Sequence, residues 1–216
     1  LDQPVGMVFQ KFWTDLLVLT EYLWNDPQRI KALTRRLHPK HSLANHAFNC
    51  GIMGLALHLR LHAKNFEEGG VKRKNFDHLA AGLFLHDMGM TKVAAFIREK
   101  EKPLMPDERN KVLQHPMHGS EMLAKLDLKF PEVEACVLEH HERLTGTGYP
   151  QKRVGSAVSP VGRLCAVVDS YCAMITKRPY AEAMEPMKAA TTLAQDGGYD
   201  PEITKHLQAM ILTQKM

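Results

Sequence analysis

The chain has 216 residues, enough for one large domain with a well-buried core. Its 28 Lys and Arg against 24 Asp and Glu leave a net charge of +4, which suits an anionic small molecule and is too weak to imply a nucleic-acid polymer. No apolar run is long enough to span a membrane and no signal peptide is visible, so a cytoplasmic protein is expected.

Apolar residues recur at helical rather than strand spacing, which predicts an all-α fold, a compact helical bundle. A first helix is expected over residues 5–24, and Asp26-Pro27 supplies a cap and a first-turn proline for a second, to about residue 37. A third spans residues 44–62, followed by a polar loop over 64–74 that contains Gly69-Gly70. Asn75 is placed to cap a helix running into His86. A short helix over 92–99 and a proline-punctuated loop over 100–106 precede a helix opened by Asp107 and interrupted at Pro116. Pro131 opens the helix that ends at His140-His141. Ser159-Pro160 starts another, through Asp169 to about Thr176, and two last helices flank the turn Asp196-Gly197-Gly198-Tyr199-Asp200-Pro201. The first 40 residues carry no readable motif and are expected to be a helical extension (1–40) to a domain covering 41–216.

Cys50, Cys136, Cys165 and Cys172 each lie in an apolar, helix-like segment and form no C-x-x-C, as expected of buried thiols in a reducing compartment. The 12 histidines are more telling, because several stand beside carboxylates or glycines. His140 and His141 end an apolar helix, and adjacent imidazoles are hard to justify as packing, whereas neutral imidazole is the commonest metal ligand. Beyond them, Gly146 and Gly148 permit close approach of backbone to a ligand, Tyr149 offers a phenol, and Pro150 stiffens the turn. The same segment also reads as an ordinary surface turn.

His86-Asp87 follows the apolar run ending at Leu85, so one rigid element would deliver an imidazole and a carboxylate together. A capping Asp beside a surface His looks the same. His46 opens an apolar helix, where a capping or core role is common, and His41 competes with it. His115 and His118 stand three apart around Pro116 and can share a face, so either could be a ligand. Asp169 lies among Ala166, Val167, Val168 and Tyr171, a costly setting for a carboxylate unless it is paired or metal-bound. Together these form an imidazole and carboxylate set without thiolate. Such a set suits hydrolytic Fe, Mn, Zn or Ni, and a bridging carboxylate suits two cations that activate water and clamp a phosphoryl oxygen.

The order of H-D-M-G, H-P-x-x-G, H-H-E-x-x-x-G-x-G-Y-P and V-D-S-Y-C-A-M-I-T-K-R-P-Y resembles the HD-GYP family, a branch of the HD phosphohydrolases, over roughly residues 41–216. The resemblance implies hydrolysis of cyclic di-GMP, to the linear dinucleotide or to GMP, by a hydroxide between two divalent metals, Fe first, with Mn, Ni or Zn as alternatives. It places one metal on His46, His86, Asp87 and Asp169. The second falls on His115, His140 and His141, with Asp87 as the bridge and as a catalytic group together with Tyr149. Tyr149, Gly148, Pro150 and Arg178 match the substrate side. It further allows a homodimer and signalling-protein partners, with no membrane span.

The departures are specific. Ser42 stands where some members carry a third-metal glutamate, so two metals are expected. Met90 replaces the lysine of H-D-x-G-K, and Ala181 the basic residue after R-P-Y, leaving Arg178, with Lys92 or Lys177 as substitutes. Thr145 and Cys172 each replace an aspartate. Loss of two charge-assisted phosphate contacts would weaken substrate binding by on the order of 10²–10⁴-fold. A metal-bearing module of weak activity, or a phosphohydrolase for another nucleotide, are the alternatives.

Overall fold

The computed structural model describes residues 3–67, 69, 71–178 and 181–214. Among them the secondary structure is helical, with isolated bridges at Lys40–Lys177, Thr145–Val154 and Arg178–Ala181 in place of a sheet. Four helices form the frame: α3 (Leu43–Leu61), α5 (Arg73–Leu85), α9 (Pro131–Glu139) and α10 (Pro160–Ile175). α3 packs on α5, α5 on α9, α9 on α10, and α10 back on α3, which closes a ring around the core. Leu55, Leu83, Val137 and Val167 are among the fully buried residues inside it.

The remaining helices cover this ring. α1 (Gln3–Asn25) lies against α5 and contributes Leu16 and Leu23 to the same core. A 3₁₀ turn (Pro27–Arg29) and α2 (Ile30–Thr34) follow, with the Asp26 carboxylate accepting the Gln28 N–H at 3.0 Å. α2 stops before residue 37. α4 (Ala63–Glu67) occupies part of the expected loop, while Gly70 lies outside the described residues. α5 starts at Arg73, with Lys72 rather than Asn75 at its cap.

The chain beyond Asp87 is tighter than expected, a 3₁₀ turn (Met88–Lys92) and then α6 (Ala95–Arg98). α7 (Pro106–Leu113) and α8 (His115–Lys125) are separate helices. α7 begins at Pro106, and the Glu108 carboxylate accepts the Met105 N–H at 2.7 Å. Against α10 lie α11 (Pro186–Gln195) and α12 (Pro201–Gln214). No helix among the described residues is long and apolar enough to cross a membrane.

Candidate metal centre

The first turn of α3, the C-terminal ends of α5 and α9, the first residue of α8 and the middle of α10 converge. They carry His46, His86-Asp87, His140-His141, His115 and Asp169 to one place. His86 and His140 are themselves the C-caps of α5 and α9, so two helix C-termini, each partially negative, face the cluster. That field favours a cation.

Backbone carbonyls fix three of the rings. The Nδ1 of His86 donates to the Leu83 carbonyl (2.9 Å), that of His115 to Val112 (2.7 Å) and that of His140 to Cys136 (2.9 Å). A carbonyl only accepts, so Nδ1 carries the hydrogen and Nε2 keeps its lone pair. This is the usual support of a metal-binding imidazole. The Nε2 atoms of His115 and His140 then face each other at 3.0 Å. Two lone pairs at that distance repel unless a proton or a metal ion lies between them. The buried Nε2 of His86 has no hydrogen-bond partner, since Asp169 Oδ1 is 3.8 Å away.

The donors fall into two groups. His46, Cys50, His86 and Asp169 form one, with one donor atom of each within 4.8 Å of the others; His115, His140 and His141 form the second. Asp87 Oδ1 approaches His115 Nε2 at 3.1 Å and His140 Nε2 at 3.9 Å. Asp169 touches both groups: Oδ1 accepts from His46 Nε2 at 2.9 Å, and Oδ2 lies 3.6 Å from His141 Nδ1. Asp87 in turn feels His86 and His46 of the first group as well as His115 of the second, so both carboxylates lie within electrostatic reach of both groups.

Electrostatics agree with the geometry. Burial works against ionisation of Asp169, yet the His46 hydrogen bond and the imidazoles of His86 and His141 hold its carboxyl well below the usual range. Asp87 is lowered likewise, burial being outweighed by His86, His115 and His46. Burial first, then the neighbouring imidazoles, pushes His140 well below its ordinary value, and burial brings His141 to about 4. Asp87 and Asp169 are therefore ionised beside the neutral rings of His140 and His141, the protonation states a divalent cation requires; His86 differs, because burial is outweighed by the Asp169 hydrogen bond and nearby anionic groups, which raise it to about 10, so an ion there would displace its proton. Donor set, lone-pair geometry and charge all fit such an ion.

Two candidate histidines stand apart. His118 points to Glu121 at 3.9 Å and stays outside both groups. His41 lies beside His46, with ring centroids 5.9 Å apart. Burial, and then the nearby Arg178 guanidinium, lower His41 to about 4. The Lys40–Lys177 bridge and the His41 N–H bond to the Lys177 carbonyl (3.3 Å) bring these segments together. Pro179 and Tyr180 of the R-P-Y motif lie outside the described residues.

The segment after His141 folds back on it. The Tyr149 ring stacks on His141 (centroids 4.6 Å, planes at 22°), and burial, with Asp169 and Asp87, pushes its phenol up, so the hydroxyl stays a neutral donor. The Tyr149-Pro150 peptide is cis. A Cβ at Gly148 would collide with the backbone of residues 141–143, so this glycine is required by close packing.

Several residues without an assigned role in the sequence position this segment. Buried Glu142 accepts the N–H groups of Gln151 (2.6 Å) and Arg153 (3.0 Å). Glu139 pairs with Arg153 and accepts the Ser159 N–H at 2.8 Å. Arg143 lies over the Tyr199 ring at 4.5 Å, and the Leu144 N–H donates to the Gly198 carbonyl at 2.9 Å. The Asp196–Pro201 motif therefore buttresses the segment. The substituted positions, and the lysine expected to compensate for them, differ in kind. The Thr145 hydroxyl pairs with Thr147 at 2.9 Å, Lys177 with Glu182 at 2.8 Å, and Cys172 is fully buried. A thiol borders the imidazole and carboxylate set: Cys50 Sγ lies 3.6 Å from His46 Nε2. The available signal was its spacing, four residues after His46 and thus on the same helical face.

Comparison with known proteins places these residues in context. A family model described as "HD domain" matches residues 22–203. The cyclic di-GMP phosphodiesterase response regulator RpfG of Xanthomonas campestris is 38% identical over 120 residues, 54% of this chain and 32% of that protein. The cyclic di-GMP phosphodiesterase PA4108 of Pseudomonas aeruginosa is 38% identical over 128 residues, 57% of this chain and 30% of that protein. A 3'3'-cGAMP-specific phosphodiesterase of Vibrio cholerae is 32% identical over 126 residues, 57% of this chain and 27% of that protein. The matched regions thus span about a third or less of these relatives. Bd1817, an HDG"Y"P protein from Bdellovibrio bacteriovorus, shares the fold with a TM-score of 0.74 at 16% identity, covering 96% of this chain and 64% of its own.

Proposed function

The chain belongs to the HD domain family, and from that premise we propose that it hydrolyses a phosphodiester bond of a cyclic dinucleotide, cyclic di-GMP first. The observation that carries this reading is the pair of inward-facing imidazoles, His115 and His140, whose Nε2 atoms at 3.0 Å call for a shared cation. Relatives bearing the names of cyclic dinucleotide phosphodiesterases supply the substrate class.

His46, His86 and Asp169 would hold one divalent ion and His115, His140 and His141 a second, with Asp87 beside the latter. Fe is the first choice, with Mn, Ni and Zn as alternatives. Such a pair supplies an activated water and neutralises charge on the phosphoryl oxygens. The protein's own groups do the rest. Tyr149 donates a hydrogen bond to a phosphate oxygen, and stacking on His141 fixes its ring. Arg178 brings a positive charge near His41. Gly148 and Pro150 form the lip around Tyr149. The test is turnover: metal-loaded protein with cyclic di-GMP and 3'3'-cGAMP, products followed by chromatography. Absence of product with Fe, Mn, Ni and Zn at saturating substrate overturns the proposal.

A second reading, a metal-bearing module of weak activity, rests on the substituted positions. Cys172 is fully buried and Thr145 is paired with Thr147, so neither replaces the aspartate's charge. A turnover number within the ordinary enzymatic range, about 1–10³ s⁻¹, excludes it.

A further inference from the structure

The end of α3 away from the metal cluster borders a concavity of about 830 Å³. Arg60, on its lining, lies about 21 Å along the helix from His46 at 1.5 Å per residue, and no residue lining the cavity belongs to either metal-donor group. The apolar part of the lining includes Ile30, Leu59 and Met210, which belong to the core, and the rings of Trp24 and Phe66, packed edge to face with centroids 5.2 Å apart. The charged part is of one sign. Lys31, Arg35 and Arg60 are exposed at the opening, no carboxylate stands among the described lining residues, and none of the three cations is in an ion pair among the described residues. Lys31 and Arg35 stand four apart, on one face of α2 and its C-cap. α2 packs on α3, which brings Arg60 to the same opening.

We propose that this cavity is a second ligand site, for a free amphiphile with an apolar body and one carboxylate or phosphate head. Its volume is at the upper end of the range for small-molecule sites, about 300–1,000 Å³. The body lies against Trp24, Leu59 and Met210 and removes that surface from water. The head offsets the positive field of Lys31, Arg35 and Arg60. The site stands apart from the metal cluster and needs no metal.

The experiment uses the whole chain carrying Trp13→Phe, which leaves Trp24 as the single tryptophan. Trp13 packs by His78 and Phe130, outside the cavity lining. Dodecanoate and dodecyl phosphate, below their micelle concentrations, are titrated by calorimetry and by Trp24 emission. The expected result is saturable one-to-one binding of at least one of them, with a shift in emission. The uncharged methyl ester of dodecanoate should bind at least about tenfold more weakly, as should the better anion to the double variant Arg35→Glu, Arg60→Glu. Ala63→Phe, at an exposed position on the lining, should block binding. Both variants should keep full metal content. Absence of binding by both anions overturns the proposal, as does equal affinity for the ester, or binding unchanged in either variant. Sedimentation with phosphatidylglycerol vesicles without binding of the free amphiphiles overturns it as well, and makes this end of the chain a membrane-facing surface.

Discussion

One helix, α3, carries a buried histidine near its start and a partly buried one near its end, and the two have opposite surroundings. His46, near its start, meets Asp169, Cys50 and the ring of His86. His58, about 18 Å further along at 1.5 Å per residue, meets His62, Phe66 and Phe76, ring centroids 4.6, 6.2 and 6.1 Å away. Burial, with a smaller effect of His62, lowers His58 to about 3 and leaves a neutral ring in an aromatic pocket. At that end a cavity of about 830 Å³ opens between Trp24, Ile30, Leu59 and Met210. Burial therefore does not make a histidine a ligand. The distinction lies in a carboxylate at hydrogen-bond distance and in neighbouring rings whose Nδ1 atoms are committed to carbonyls.

The strongest way to break this comparison is to remove the carboxylate. Asp169→Ala should lose both metals and lower activity by on the order of 10³-fold or more, because Asp169 contacts both donor groups. Asp87→Ala should lose only the ion near His115 and His140. Elemental analysis decides: loss of both ions in Asp87→Ala with one retained in Asp169→Ala makes Asp87 the bridge, as the family resemblance implies.

At the other end of α3, the expected change is in acid stability. His58 binds its proton at about 3 when folded against 6.5 ordinarily. The unfolded chain therefore takes up the proton first. Its stabilising effect is complete above 6.5, declines as pH falls from 6.5 towards 3, and falls no further below. His58→Leu should remove roughly 2–3 kcal/mol of the loss between pH 7 and pH 4, measured by urea unfolding of both proteins at each pH. Equal acid losses in the two proteins contradict the assignment.

A smaller effect separates metal holding from substrate contact. Tyr149→Phe keeps the stacked ring and should keep full metal content while lowering kcat/KM by roughly 10–100-fold, the value of one hydrogen bond to a charged group. Loss of metal in that variant would make Tyr149 part of the metal's support. Smallest of all, His118→Ala should change stability by less than about 0.5 kcal/mol, as is usual for a surface position, and should leave metal content intact. A drop in bound metal would show that the outer histidine matters after all.

The sequence announced the frame better than the joints. Apolar periodicity located α3, α5, α9 and α10, because each buries a continuous stripe in the ring. It did not show the 3₁₀ turn after Asp87, where Gly89 packs against the backbone of His115 and Gly119, and the helix expected over 92–99 is the shorter α6. Close backbone contact of that kind leaves no periodic trace. His115 and His118 looked equivalent because spacing along a helix does not say which side faces the site. Cys50, read as a buried thiol, is one: an apolar helix carries it into the core. Glu142 stands in the H-H-E motif and Glu139 just before it, but their work is to accept backbone N–H groups of a later segment, which side-chain spacing does not reveal.

The anchoring of residues 139–153 has a consequence for engineering. Glu142 holds the N–H groups of Gln151 and Arg153, Gly148 seats on the backbone of 141–143, and Arg153 returns to Glu139. Exchanging the Gly148-Tyr149-Pro150 tip alone with that of a relative would graft a hinge onto foreign fasteners. The transplantable cassette is the whole closed loop, histidines included, so specificity and metal loading would move between scaffolds as one module.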